Sequence, residues 1–166
     1  MQKEECECSL EKLFQYNWQV RDDWFTWCED VPEGELLKNR VGGLGGILQT
    51  LFHIVDVEYS WIRVLQGKTE FEEPFEEYRS LRQVRALSAQ FHPEVESFVK
   101  SWTPQMETEG LTLPRHNDEW ITYKRGEIMR HVIAYEIHHI GQLSVWAREI
   151  GREPITANLI RRGLFA

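Results

Sequence analysis

The sequence predicts an all-α protein, an up-down four-helix bundle with a small hairpin or extended loop before the last long helix. Apolar residues recur at three- and four-residue steps in four long stretches, which is the spacing of one helix face. Proline and glycine residues separate these stretches. A chain of 166 residues with 42% hydrophobic content can bury one core. We therefore expect a single domain covering residues 1–166.

The four predicted helices are Leu10 to Trp27, Ile47 to Leu65, Leu81 to Trp102 and Gly126 to Gly151. Pro93 predicts a kink in the third helix. Between the third and fourth helices, Glu109 to Tyr123 has the pattern of two short strands around a polar cluster at residues 114–118. The tail from Ala157 to Phe165 is predicted to form a short terminal helix.

Four glycines, at positions 42, 43, 45 and 46, precede the second predicted helix. A phosphate-binding loop would need a Gly-Lys-Ser/Thr ending and a strand before it, and the sequence has neither. We expect these glycines to let the start of the helix approach a neighbouring backbone closely, or to make the connection bend.

The charge of the chain, its apolar runs and its N-terminal sequence limit the partners and the location that we expect. A formal net charge of −8 excludes a nucleic-acid partner bound through a basic face. No apolar run approaches the roughly 20 residues that span a bilayer, so no membrane segment is expected. The acidic N-terminus lacks an apolar signal core, which predicts a cytoplasmic protein.

Three cysteines are present, and their odd number without an export signal predicts reduced thiols. Cys6 and Cys8 are two residues apart, as in a Cys-x-Cys metal or redox pair. A closed thiolate site would need a second half-site, which the sequence does not supply. Cys28 stands apart from this pair.

Histidines on the helix faces are the candidate metal ligands. His53 lies in the apolar run of the second helix, while His131, Tyr135 and His139 are four residues apart on the last helix and share one face. His138 lies at the edge of that face. Imidazole binds zinc, nickel, copper or iron, and a catalytic site typically uses three protein ligands. The alternative is that these are hydrogen-bonded core histidines.

Three segments resemble the DinB-like, or DNA-damage-inducible, family. They are Leu13 to Phe25, Gly45 to Gly67 and His131 to Gly151, the latter two matching the signature regions of the family. The resemblance implies a four-helix bundle of the DinB-like type and a homodimer. It also implies a divalent metal, nickel or zinc, on one His of the second helix and two His of the last. Related members act on low-molecular-weight thiols, or isomerise or hydrolyse small molecules.

Carried over by position, the resemblance assigns His53 and His139 as ligands, and it places the remaining ligand at position 135. This sequence has Tyr135 there. Three alternatives follow. Tyr135 binds the metal as phenolate, His131 or His138 replaces it, or the site is vestigial and the two imidazoles are simply hydrogen-bonded.

Two functions are compatible with this pattern. The first is a metal-dependent transferase or hydrolase acting on a small molecule or a low-molecular-weight thiol. In that case Glu58 and Glu136 are candidates for supporting or general-base roles, and Gln142 is expected to form a hydrogen bond between helices. The second is a non-enzymatic, stress-associated protein that binds a small ligand or serves as a scaffold.

Overall fold

Helices make up most of the molecule. The computed structural model describes residues 2–114 and 119–165. Its helices are α1 (Gln2–Cys28), α2 (Glu33–Leu37), α3 (Ile47–Leu65), α4 (Leu81–Lys100), α5 (Pro104–Thr108) and α6 (Arg125–Glu149). A single 3-10 turn covers Phe75–Glu77. The four long helices α1, α3, α4 and α6 form the predicted all-α bundle, whereas the short helices α2 and α5 were not predicted.

The predicted bounds of the long helices agree with the structure except at the N-terminus. The helix α1 begins at Gln2 rather than Leu10, in a polar stretch that has no apolar stripe to reveal it. The helix α4 continues through Pro93 without a break and is capped by the Ser80 hydroxyl, which accepts a hydrogen bond from the Gln83 backbone. Among the described helices, none has the length and apolar character needed to cross a bilayer.

The predicted hairpin precedes α6. Strands β1 (Gly110–Pro114) and β2 (Trp120–Lys124) pair antiparallel, with Gly110 opposite Lys124 and Pro114 opposite Trp120. Residues 115–118, which contain most of the predicted polar turn, lie outside the described residues. Because β2 ends where α6 begins, the hairpin sits at the N-terminal end of α6.

The directions of the helices differ from simple alternation. Phe52 packs on Tyr78 just before α4, and Tyr59, seven residues further along α3, stacks on Phe91. The helices α3 and α4 therefore run in the same direction, and the connection between them returns along the bundle. Arg125 at the start of α6 bonds the carbonyl at the end of α3, so these two helices are antiparallel. The resulting order is up-down-down-up.

Two apolar clusters fill the two ends of the bundle. One cluster combines the C-terminal half of α1 with the first halves of α3 and α4 and the second half of α6. The other combines the remaining halves and includes Phe14, Ile62, Val95 and Met129. Since all four long helices contribute to each cluster, the burial of apolar surface holds α3 against α6 along their full length.

The predicted terminal helix is absent. Residues 152–159 are extended along α1, and turns follow, with Arg161 at a positive φ of 70°. The indole of Trp27 donates to the carbonyl of Glu153, and the Tyr16 hydroxyl donates to that of Ala157. These bonds use backbone carbonyls that a helix would satisfy internally, so the segment follows α1 instead of forming its own helix.

Candidate metal centre

His53 and Tyr135 face each other between α3 and α6. A hydrogen bond of 3.1 Å joins Nε2 of His53 to the Tyr135 hydroxyl. His53 is half-buried, and this burial, with a smaller contribution from His139, lowers its pKa to about 4. The ring is therefore neutral at physiological pH, which is the form that ligates metals.

His139 is buried and has one unpartnered nitrogen. Its Nδ1 lies 2.8 Å from the side-chain oxygen of Gln142, so the Nδ1–H group donates and Nε2 keeps its lone pair. That Nε2 atom is buried and has no hydrogen-bond partner among the described residues. Burial also lowers the pKa of His139, against the opposing effect of the bond to Gln142. A buried acceptor without a partner is costly, and it marks a position where a metal ion or a hydrogen-bond donor would be favourable.

The three rings converge. The centroid of the His139 ring lies 4.6 Å from that of Tyr135 and 5.3 Å from that of His53, and the His53 and Tyr135 centroids are 5.5 Å apart. Because positions 135 and 139 are one turn apart on α6, both side chains meet the same point of α3. The structure thus brings His53, Tyr135 and His139 together.

The other two histidines lie outside this group. The exposed His131 packs beside Trp61 and Tyr135, with ring centroids 6.0 Å and 5.3 Å away. The exposed His138 is bound through Nε2 to the Gln142 amide nitrogen at 3.2 Å. Across the described residues, no three His, Cys, Asp or Glu side chains come close enough to hold a metal ion together. The polar atom that lies beside the His53 and His139 rings is the phenol oxygen of Tyr135.

Gln142 connects the two adjacent histidines, and the glycine-rich loop packs against it. Its amide accepts from His139 and donates to His138, so both bonds lie within α6 and the predicted bond between helices is wrong. Gly43 adopts a φ of +55°, and a Cβ there would lie 2.7 Å from the Gln142 side-chain oxygen. A Cβ on Gly46, at the start of α3, would lie 3.2 Å from the backbone carbonyl oxygen of Lys38, which confirms the expected close approach to a neighbouring backbone. Positive φ values at Gly42, Gly43 and Gly45 confirm the expected bend in the connection.

Glu58 and Glu136 do not reach the His53 group. Both carboxylates are buried against Arg21, which donates to Glu136 from Nε and Nη2 and to Glu58 from Nη1, at 2.6 to 2.9 Å. The Trp18 indole donates to the remaining Glu58 oxygen at 2.8 Å. With every carboxylate oxygen bonded, neither residue is positioned to act as the predicted base.

This ionic cluster joins α1, α3 and α6 with two negative charges and one positive charge. Burial raises the pKa of Glu136, although Arg21 opposes the rise. Burial acts to lower the pKa of Arg21, but the two carboxylates together outweigh it and raise that pKa, so Arg21 stays charged. The sequence did not predict a role for Arg21, because in the sequence of an amphipathic helix a buried arginine cannot be distinguished from a solvent-exposed one. A signal was available in its place four residues before Phe25, on the largely apolar side of α1.

Cys28 is a buried thiol in the apolar cluster. Burial raises its pKa to about 12, so it is protonated and unreactive in the folded protein. The side chains of Cys6 and Cys8 lie outside the described residues, and the Cys-x-Cys alternative is therefore not tested.

Comparison with known proteins agrees with this architecture. The model of the DinB family matches residues 1–163, a range that contains all four long helices. The chain is also 50% identical over 153 residues to a Bacillus subtilis (strain 168) protein described as uncharacterized protein YizA. That similarity covers 92% of this chain and 95% of the Bacillus protein.

Proposed function

Because the chain belongs to the DinB family, we propose that it holds a divalent metal ion, zinc or nickel, between α3 and α6. His53 and His139 supply imidazole nitrogens, and the Tyr135 oxygen is the third protein donor. The observation that carries this proposal is the buried, unpartnered Nε2 of His139. The activity that fits such a centre is a transferase or hydrolase reaction on a small molecule or a low-molecular-weight thiol.

The donor set is chemically suited to the ion. In a tetrahedral site with metal–ligand bonds of about 2.0 Å, neighbouring ligand atoms are about 3.3 Å apart. The Nε2 of His53 and the Tyr135 oxygen are separated by 3.1 Å. Three protein donors leave a coordination position for water or substrate, as catalytic sites require. The low pKa of His53 means that no imidazole proton competes there near neutral pH.

Residues around the ligands would orient them. Gln142 accepts the Nδ1 proton of His139, which fixes the tautomer that presents Nε2. When His53 presents its Nε2 lone pair, Tyr135 is the donor of their hydrogen bond, and its proton must leave before the oxygen can ligate. A bound divalent cation would lower the pKa of a water or thiol that it coordinates.

A second candidate is non-enzymatic binding of a small ligand by a vestigial site. The hydrogen bond between His53 and Tyr135 favours it, because it satisfies both groups without a metal. In that case the unpartnered Nε2 of His139 would accept a hydrogen bond from the ligand.

Metal analysis of the purified, untagged protein distinguishes the two candidates. We expect near-stoichiometric zinc or nickel in the wild type and loss of the metal in His53→Ala and His139→Ala. His92→Ala on α4 is the matched control, since His92 lies against Trp18 on another face of the bundle. Folded wild-type protein that remains without metal after incubation with either ion would reject the metal centre and favour the ligand-binding alternative.

A further inference from the structure

A cavity of about 370 Å³ lies one helical turn from the candidate metal centre. Trp61 of α3, Tyr123 of β2 and Glu127, Ile128 and His131 of α6 line it. Three of these five side chains are aromatic rings, and one is a carboxylate. The cavity is therefore both apolar and negatively charged.

The aromatic walls are held in place by the core. Trp61 and Tyr123 are half-buried and pack against the apolar cluster at this end of the bundle. The rings of Trp61 and His131 stand at 81° to each other with centroids 6.0 Å apart. The face of an aromatic ring attracts a cation that lies within about 6 Å of its centroid.

The carboxylate of Glu127 has no ion-pair partner in the described part of the chain. One of its oxygens accepts a hydrogen bond of 3.0 Å from the Lys124 backbone. Nearby cations are directed elsewhere. The Lys124 ammonium donates to a carbonyl at the end of α5, Arg125 donates to the carbonyl at the end of α3, and Arg130 pairs with Glu107.

We propose that this cavity binds a small organic cation, with the ammonium group between the aromatic rings and the carboxylate of Glu127. The net charge of −8 favours the approach of such a ligand. The His131 ring lies 5.3 Å from that of Tyr135, so the bound ammonium group would lie next to the candidate metal centre. Its role as the anchor of a substrate rests on the proposed function, but cation binding itself does not.

Two probes of nearly identical shape test the charge requirement. Choline carries a quaternary ammonium group, and 3,3-dimethylbutan-1-ol is its neutral counterpart. Isothermal titration calorimetry on protein treated with a chelator should show choline binding about tenfold more tightly than the neutral alcohol. Because no metal is present, failure of the metal centre would leave this result unchanged.

Two variants test the cavity itself. Glu127→Gln removes the charge but keeps an oxygen that can accept from the Lys124 backbone, and it should weaken choline binding about fivefold. Trp61→Leu should weaken it about tenfold. Glu76→Gln in the 3-10 turn and Trp120→Leu on β2 are the matched controls, and neither should change the affinity.

Three results would overturn the proposal. They are the absence of choline binding at millimolar concentrations, equal affinity for the neutral alcohol, and unchanged affinity in both Glu127→Gln and Trp61→Leu. Metal content measured on the same preparations before the chelator is added separates this outcome from failure of the proposed function.

Discussion

The hydroxyl of Tyr135 lies 3.1 Å from Nε2 of His53, at the position where an imidazole is expected from the family resemblance. A free phenol has a pKa near 10, so metal binding must displace its proton at a cost that an imidazole does not have. Tyr135→His should therefore raise zinc affinity at least about tenfold. Competition with a chromophoric chelator would measure this.

Tyr135→Phe is the companion variant. It keeps the ring and removes the oxygen, so it should weaken zinc binding while leaving the bundle folded. An unchanged affinity in Tyr135→Phe would remove Tyr135 from the ligand set. No gain in Tyr135→His would mean that position 135 does not face the ion.

Gln142 should control metal affinity without touching the metal. Its side-chain oxygen holds the Nδ1–H group of His139, and loss of such a bond typically costs tenfold to a hundredfold in affinity. We expect Gln142→Ala to weaken zinc binding by about that factor. Gln90→Ala, an exposed position on α4, is the control. Equal affinities of the two variants would contradict the orienting role.

Alanine substitutions at two neighbouring glycines distinguish the effect of backbone strain from the effect of contact with Gln142. Gly42 and Gly43 both have positive φ, so alanine at either position should cost about 1–2 kcal/mol of stability. Only at Gly43 would the added Cβ meet Gln142, whereas nothing lies within 4 Å of the one at Gly42. Of the two variants, only Gly43→Ala should also reduce zinc affinity. Zinc affinity and stability in urea should be measured for both variants. Equal zinc affinities in the two variants would disprove this contact.

Arg21 should contribute more to stability than either carboxylate that it binds. Arg21→Met leaves Glu58 and Glu136 buried without their cation, which should cost about 3–5 kcal/mol. Glu136→Gln leaves a neutral Arg21–Glu58 pair and should cost less. Urea unfolding of the two variants ranks them, and a smaller loss in Arg21→Met would contradict this account.

The loss of stability in Arg21→Met should also depend on pH. Burial raises the pKa of Glu136, so the folded state binds its proton more tightly than the unfolded state does. A group of this kind stabilises the fold at low pH and loses that effect as pH rises. In Arg21→Met the opposing effect of the guanidinium is lost, so the pKa of Glu136 should rise further. Urea unfolding should therefore show that the stability difference between Arg21→Met and the wild type becomes smaller as pH falls from about 8 to about 5.

Cys28 should react with a thiol reagent only after unfolding. Burial raises its pKa to about 12, and the side chain is shielded from solvent. In a Cys6→Ser/Cys8→Ser variant at about pH 8, native protein should show almost no reaction and urea-unfolded protein one thiol per chain. Rapid labelling of the native variant would show that α1 opens locally at Cys28.

Local sequence patterns predicted the long helices well because each has an apolar stripe long enough to display its period. The five-residue helices α2 and α5 are too short for that. The prediction of a terminal helix was wrong because the carbonyls of Glu153 and Ala157 accept hydrogen bonds from side chains of α1, which lie more than 100 positions away in the sequence. The ionic cluster could not be predicted from local patterns either, because Arg21 binds Glu58 and Glu136, which lie 37 and 115 residues away in the sequence.

The position of the candidate centre was easier to predict than its surroundings. The four-residue spacing of Tyr135 and His139 puts them on one face, and the resemblance assigns His53 opposite them. The role of Gln142 depended on side-chain rotamers, so the sequence could not show that its bonds stay within α6. The charge of Glu58 and Glu136 suggested chemistry, whereas their burial beside Arg21 makes them structural.

A single guanidinium that binds carboxylates on two other helices also affects how the bundle opens. If either α3 or α6 moved away alone, Arg21 and at least one carboxylate would lose their bonds within a nonpolar interior. We therefore expect α1, α3 and α6 to unfold as one cooperative unit, with amide protons that exchange only through global opening. Since His53 and His139 belong to two of these helices, their spacing should persist until the whole domain unfolds.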